Sequence, residues 1–523
     1  MPITRDMKDF NLAVNTHVDR RRPICIDVGN QRQLLFDDFF IALGAKPDQY
    51  PYRIRWVNAP IQKHPSPLFA GEAPWETSSA WVSVMRDGGI YRMWYNSGQE
   101  GHRGLVVSYA ESEDGLHFIR KRLGLVEFKG TLDNNMVFTG GLNGVSPEMG
   151  NVFLDPGAPQ DERYKMIYTD WEGQHIFDQP FTHNVGMLRG AASPDGLRWE
   201  RYYDNFTHKY CDSQNAACWD LTLGMYVAYH RTSGHYGSLE AGGFKVEAEG
   251  RGRAIGRLES RDFRNWQSTG IALQGDFEDG LNCDIYNSGY SPYPGAAHAH
   301  FLFPSFYNHY EGKFEVRVCT SRDNRNWFRP TRQALVPLGE RGAFDCFIIS
   351  ISPGFVPVDR DHYALYYRAG NGLHSGAAVP LTEEEKKKAA SRVGRVLVRR
   401  DRIIGIEAGS EPGQFCTRPL LFTGDQLQLN IEPTGPNAWM RTQLLSVEND
   451  QPLGGYTFAA CRPLTQDSLD AQVSWEGREK IEPGPVRLHF QFSEMRLYAF
   501  QFNYRPSEKE SEKSTACTER KPL

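Results

Sequence analysis

Apolar and polar positions alternate with a period of two along most of the chain, the signature of half-buried strands. The clearest runs are Gly89 to Tyr95, Glu162 to Tyr168, Gly224 to Tyr229, His298 to Phe303 and Asp361 to Tyr367. Each is rich in aromatic and β-branched residues, and Gly or charged turns bound it. Helical periodicity is nearly absent. The exception is Thr382 to Ala390, where a Thr N-cap precedes three Glu and three Lys. That order predicts a solvated helix inserted between strands.

A short motif recurs beside these runs. Ser112 to Phe118, Ser193 to Trp199, Ser260 to Trp266 and Ser321 to Trp327 all read Ser-x-Asp-x-x-x-aromatic. Arg399-Arg-Asp401 is a degenerate fifth copy. The motif predicts a hairpin tip: Ser and Asp oxygens accept turn N–H groups, and the ring anchors the next strand. Units roughly 60–80 residues long fit four-stranded blades with insertions. The chain is therefore expected to be all-β, with a five-bladed β-propeller over residues 30–410 after an N-terminal arm at 1–29. Beyond residue 410 the motif with its ring disappears, and short alternating strands separated by Gly and Pro predict a small antiparallel β-sandwich at 411–505. The Lys/Glu/Ser-rich residues 506–523 read as a disordered tail.

In a propeller the innermost strand of each blade lines the axis, so polar residues at its start ring one mouth of the channel. Every blade start here carries a carboxylate ahead of an apolar strand: Glu76, Glu148, Asp212, Asp284 and Asp345. A turn favours Asp for bland reasons, but the recurrence in all five units points to a site. Glycosidic cleavage needs two carboxylates, one to protonate the leaving oxygen and one to attack or to activate water. The ranked candidates are Glu76, Asp212, Asp284 and Asp345, then Glu148. Trp75, Tyr95, Trp171 and Tyr286 offer stacking faces for a sugar, and Gln214, Asn215, His298, His300 and Arg368 offer polar contacts. The Ser-x-Asp aspartates read as structural. Asp37-Asp38 reads as part of a ring-closing strand, with the two carboxylates on opposite faces. His298-Ala-His300 has no third ligand in sequence reach, so no metal and no cofactor are expected.

Composition narrows the classes. The chain has 523 residues, a net charge of −5 and no basic stripe, which argues against nucleic acid. No apolar run approaches the roughly 18 residues a membrane helix needs. The nine Cys are scattered, without a CxxC pair, so neither a zinc site nor a disulfide framework is expected. No secretory leader is legible at the N-terminus, which predicts a cytoplasmic protein, or a secreted one whose leader has been removed. A homo-oligomer is left open.

Three stretches carry a resemblance: Gln33-Leu-Leu-Phe-Asp-Asp-Phe-Phe40, Ala73-Pro-Trp-Glu76, and Asn151-Val-Phe-Leu-Asp-Pro-Gly-Ala-Pro-Gln-Asp-Glu-Arg-Tyr-Lys165. With the repeat, the chain resembles the five-bladed propeller glycoside hydrolases of families 32, 43, 62, 68 and 130, and in particular bacterial family 32-like proteins that end in a β-sandwich. The resemblance implies three axial acids and a glycoside substrate. The invertase motifs Trp-Met-Asn-Asp-Pro-Asn, Arg-Asp-Pro and Glu-Cys are absent, so fructosidase activity is not implied. The leading expectation is a glycosidase acting on an oligo- or polysaccharide or a small glycoside. The alternatives are a phosphorylase using Arg189, Arg231 and Arg368, a uronate lyase, and a non-catalytic sugar-binding propeller.

Overall fold

The structure is a computed structural model. It describes residues 25–42, 51–76, 79–99, 102–139, 147–170, 187–207, 211–233, 240–241, 244–245, 252–280, 282–374, 379–478 and 480–504. The expected arm up to residue 24, the expected tail at 506–523 and Trp171 lie outside them. The described chain is all-β. One α-helix, Glu383–Lys388, interrupts the strands, with Thr382 and Glu385 forming a reciprocal capping box as its sequence predicts.

The chain divides into two compact units, residues 58–400 and residues 1–57 with 401–523. In the first, antiparallel sheets follow one another along the sequence. Each begins on an inner strand: β1 (Ser79–Asp87), β2 (Pro147–Leu154), β3 (Ala216–Asp220), β4 (Cys283–Ile285) and β5 (Ile348–Ile351). The β2 and β3 sheets are plain four-stranded meanders. The β4 and β5 sheets merge through a parallel pairing of Phe314 with Ile348.

Side-chain hydrogen bonds join successive inner strands. Ser83 on β1 donates to the carbonyl of Val152 and accepts from its N–H, at 3.2 and 3.0 Å. Asn151 on β2 clamps the backbone of Ala217 on β3 at 3.0 and 2.8 Å. Gln214 donates to the carbonyls of Val82 and Gly150 at 2.6 and 2.9 Å, reaching two sheets at once. The backbone N–H of Arg253, in the β3 sheet, donates to Asp284 on β4 at 2.9 Å. Ser305 meets Ser350 on β5 at 3.0 Å, and Ser352 donates back to Val82 on β1. The ring is closed by Gln62–Lys63, which pairs with Ser391–Arg399 of the last sheet. Asp37-Asp38 does not close it: Gln33–Leu34 pairs with Met495–Asn503 in the other unit.

The repeated motif forms the expected turn. The Ser112 hydroxyl bonds Asp114 and accepts the Gly115 N–H at 2.9 Å, while Asp114 accepts the N–H groups of Leu116 and His117. The other three copies repeat the Ser–Asp bond. The fourth position is left-handed in every copy, at Gly115, Gly196, Phe263 and Asn324. A bulky residue there costs about 1 kcal/mol. Phe263 tolerates it because its ring packs among Phe153, Phe206, Tyr226 and Trp266, fully buried. Burial of such a ring contributes about 2–3 kcal/mol, more than the strain removes. Asp401 of the degenerate copy pairs with Arg32 at 2.8 Å.

The second unit carries two sheets over one core that includes Phe415, Phe422, Leu427, Phe490 and Phe502. Residues 30–57 were expected in the propeller, yet Gln33–Leu34 and the region around Tyr52 pair with strands of this unit. Ile26–Gly29 likewise runs parallel to Leu420–Phe422. The reason is non-local: these short segments complete sheet edges built by residues nearly 400 positions away, and no local pattern reports such pairing. Among the described residues no helix is long and apolar enough to cross a membrane.

Candidate functional site

The five acids at the blade starts part company in their surroundings. Glu76 is enclosed. Arg120 Nε donates to both of its oxygens at 2.9 and 3.0 Å, and the Glu72 and Ala73 N–H groups and the Tyr95 hydroxyl complete the shell. Burial opposes the charge, but the Arg120, Glu72 and Tyr95 hydrogen bonds outweigh it and hold Glu76 below the usual carboxylate range. Asp345 bonds Lys63 of the closing strand at 2.7 Å and accepts the Tyr367 hydroxyl at 3.0 Å. Asp284 is held by Arg253 at 3.1 Å and His309 at 3.0 Å. Glu76, Asp345 and the Oδ2 of Asp284 are occupied by structural partners, while the buried Asp284 Oδ1 has no hydrogen-bond partner among the described residues.

Glu148 and Asp212 are different. Glu148, at the start of β2, is 7 % exposed, and Trp81 of β1 is the one hydrogen-bond donor that reaches it among the described residues, at 2.6 Å. Burial and the neighbouring Asp212 charge push its carboxyl up to about 8; Trp81, Arg231 and Arg368 oppose the rise without cancelling it. Asp212 pairs with Arg231 at 2.9 Å and keeps 29 % of its side chain exposed. Asn215 sets this geometry: its amide donates to the Cys211 carbonyl at 2.8 Å and accepts the Arg231 N–H at 2.9 Å. A buried acid of raised proton affinity thus has the more exposed Asp212 carboxylate among its electrostatic neighbours, an asymmetry that separates acid from base roles.

Aromatic groups frame the pair. Tyr286 lies 6.5 Å from Trp81, centroid to centroid, with Arg231 and Arg253 over its ring at 5.2 and 4.8 Å. Arg368 stacks on Trp81 at 4.7 Å. A cavity of about 450 Å³ adjoins Arg368, lined also by Glu76, Gly370, Leu373, Ser391 and Arg392.

Of the expected sugar contacts, Tyr286 and Arg368 stand at this site. The others do not. Trp75 donates to Asn135 at 2.7 Å and packs on Phe128. Tyr95 is fully buried beneath Glu76. Gln214 and Asn215 spend their amides on backbone groups. His298 is exposed in a turn, and His300 is buried on an outer strand against Tyr290 at 3.1 Å. Among the described residues no cluster of three or more His, Cys, Asp or Glu is placed to hold a metal. Sequence reasoning passed over Trp81 and Arg253. Trp81 reads as one more apolar strand residue, and its hydrogen bond to an acid 67 positions away has no local signal.

No protein-family model matches the chain, and no curated protein matches it. Solved structures similar to it include an N-acetylgalactosamine deacetylase from F. plautii in complex with blood group B trisaccharide. The identity is 13 %, covering 65 % of this chain and 96 % of that one, with a TM-score of 0.44. A glycoside hydrolase matches at 14 % identity over 65 % and 92 %, with a TM-score of 0.45. A structure from the GH130 family of mannoside phosphorylases, which contains glycoside hydrolases that target β-1,2 mannosidic linkages in Candida mannan, matches at 16 % over 68 % and 96 %, with a TM-score of 0.40. The chemistry of the site rests on its own residues.

Proposed function

We propose that residues 58–400 form a five-bladed propeller enzyme that cleaves glycosidic bonds, with Glu148 as general acid and Asp212 as the attacking or water-activating carboxylate. The observation that carries this reading is the buried Glu148 carboxyl, reached among the described residues by one donor, Trp81, with burial and the nearby Asp212 raising its proton affinity. A protonated acid at neutral pH supplies the proton to the leaving oxygen, and its ionised neighbour stabilises or attacks the developing oxocarbenium centre. Trp81, itself buried, holds the Glu148 carboxyl in place. Phosphorolysis is the second reading. It needs cations for phosphate: Arg189 is paired with Asp170 at 2.7 Å and Arg231 with Asp212, whereas Arg368 has no carboxylate partner among the described residues, so the phosphate dependence of turnover decides between the two readings.

The test is an aryl glycoside panel with leaving groups of graded acidity. Glu148→Gln should slow poor leaving groups by about 10²–10⁴-fold and spare the most acidic phenols, which need no proton. Asp212→Asn should slow all of them. Turnover that requires phosphate, or a Glu148→Gln enzyme with unchanged rates on poor leaving groups, would overturn the assignment.

A further inference from the structure

Two guanidinium groups, Arg231 and Arg368, act on Glu148 and a third, Arg253, lies over the Tyr286 ring; two of the three have carboxylate partners, Arg231 with Asp212 at 2.9 Å and Arg253 with Asp284 at 3.1 Å. Arg368 has none. Its Nε is shut off from solvent without a hydrogen-bond partner, and its face is stacked on Trp81. Its surroundings are apolar enough that burial weakens its hold on the proton, while Tyr286, Glu148 and Asp212 work the other way. A half-buried guanidinium whose Nε is cut off from water and that has no carboxylate partner is a group that an anionic ligand can satisfy. The same arginine lines the cavity of about 450 Å³, whose wall also carries Arg392. That volume falls within the range of small-ligand sites.

We infer that the substrate is a glycuronide, with the sugar carboxylate seated on Arg368 in the cavity that this arginine lines. The inference rests on the glycosidase reading for the chemistry and on Arg368 for the selectivity. A guanidinium fork matches a planar carboxylate with two parallel hydrogen bonds, which a neutral hydroxymethyl group cannot reproduce. The carboxylate would also add negative charge near Glu148, favouring the protonated acid in the substrate complex until its proton passes to the leaving oxygen.

The experiment uses the full chain and two readouts. Binding of glucuronate and galacturonate is compared with that of glucose, galactose and inorganic phosphate by titration calorimetry, and turnover is measured on matched aryl hexuronides and hexosides. At least one uronate should bind tenfold or more tightly than its neutral counterpart. Glu148→Gln should abolish turnover of poor leaving groups and keep that preference, Arg368→Gln should erase it, and Arg368→Lys should keep part of it. Equal binding of uronates and neutral sugars by the unaltered protein overturns the inference without reliance on any variant. So does phosphate binding tighter than every uronate, or a preference that survives Arg368→Gln. Uronate preference without turnover of any glycoside would sink the glycosidase reading and leave this one standing. Glu148-dependent turnover confined to neutral glycosides would do the reverse.

Discussion

Replacing Glu148 by Gln should make the protein more stable at alkaline pH while removing its acid chemistry. The folded chain holds the Glu148 proton up to about pH 8, whereas an unfolded chain releases it near the ordinary value of 4.5. Between those limits the folded state binds more protons. Stability is therefore fully present below about pH 4.5 and is lost as pH rises through 8. At about 1.4 kcal/mol per pH unit, the loss is on the order of 5 kcal/mol. Gln keeps the shape and can still accept the Trp81 hydrogen bond, but it has no proton to lose. Urea unfolding of the native protein and of Glu148→Gln at pH 5, 6.5 and 8.5 gives the comparison. The difference between the two should grow steadily across that range in favour of the variant. Parallel profiles would refute the reasoning, because they would mean that Glu148 titrates at the same pH folded and unfolded.

The neighbouring acid should behave in the opposite sense. Glu76→Gln strands Arg120 without its carboxylate and should lower stability by about 3 kcal/mol, read as a lower urea midpoint at pH 7. Gln214→Ala removes the amide that bonds Val82 and Gly150, leaving two buried carbonyls unpaired; a loss of about 2 kcal/mol is expected in the same assay. Gly252 has φ +62°, and a Cβ there would run into the Asp284 carboxylate. Gly252→Ala should therefore lower the melting temperature, with a cost of about 1–3 kcal/mol, and an unchanged melting temperature would contradict the Arg253–Asp284 geometry. Activity itself should fall as pH passes about 8, since the general acid is then lost; a profile still rising at pH 9 would assign the acid elsewhere.

The sequence by itself determined the strand-rich class, the repeated Ser-x-Asp turn and the capped helix after Thr382. All of these depend on neighbours within a few residues, and period-two alternation or turn chemistry reports them directly. It also located every blade-start carboxylate, because each stands just ahead of an apolar run. It could not rank them. Glu76, Asp212, Asp284 and Asp345 stood ahead of Glu148, whereas the proposed reading rests on Glu148 and Asp212. Burial, the Asp212 charge and the Trp81 hydrogen bond together set the Glu148 proton affinity, and those partners lie 64 and 67 positions away. Arg120 similarly reaches Glu76 across 44 residues. The pairing of residues near 26 and 33 with strands near 420 and 499, and the closure of the propeller by Gln62–Lys63, are likewise decisions of the tertiary structure. Local pattern states what a segment can become; proton affinity and sheet membership follow from which distant groups the fold places beside it.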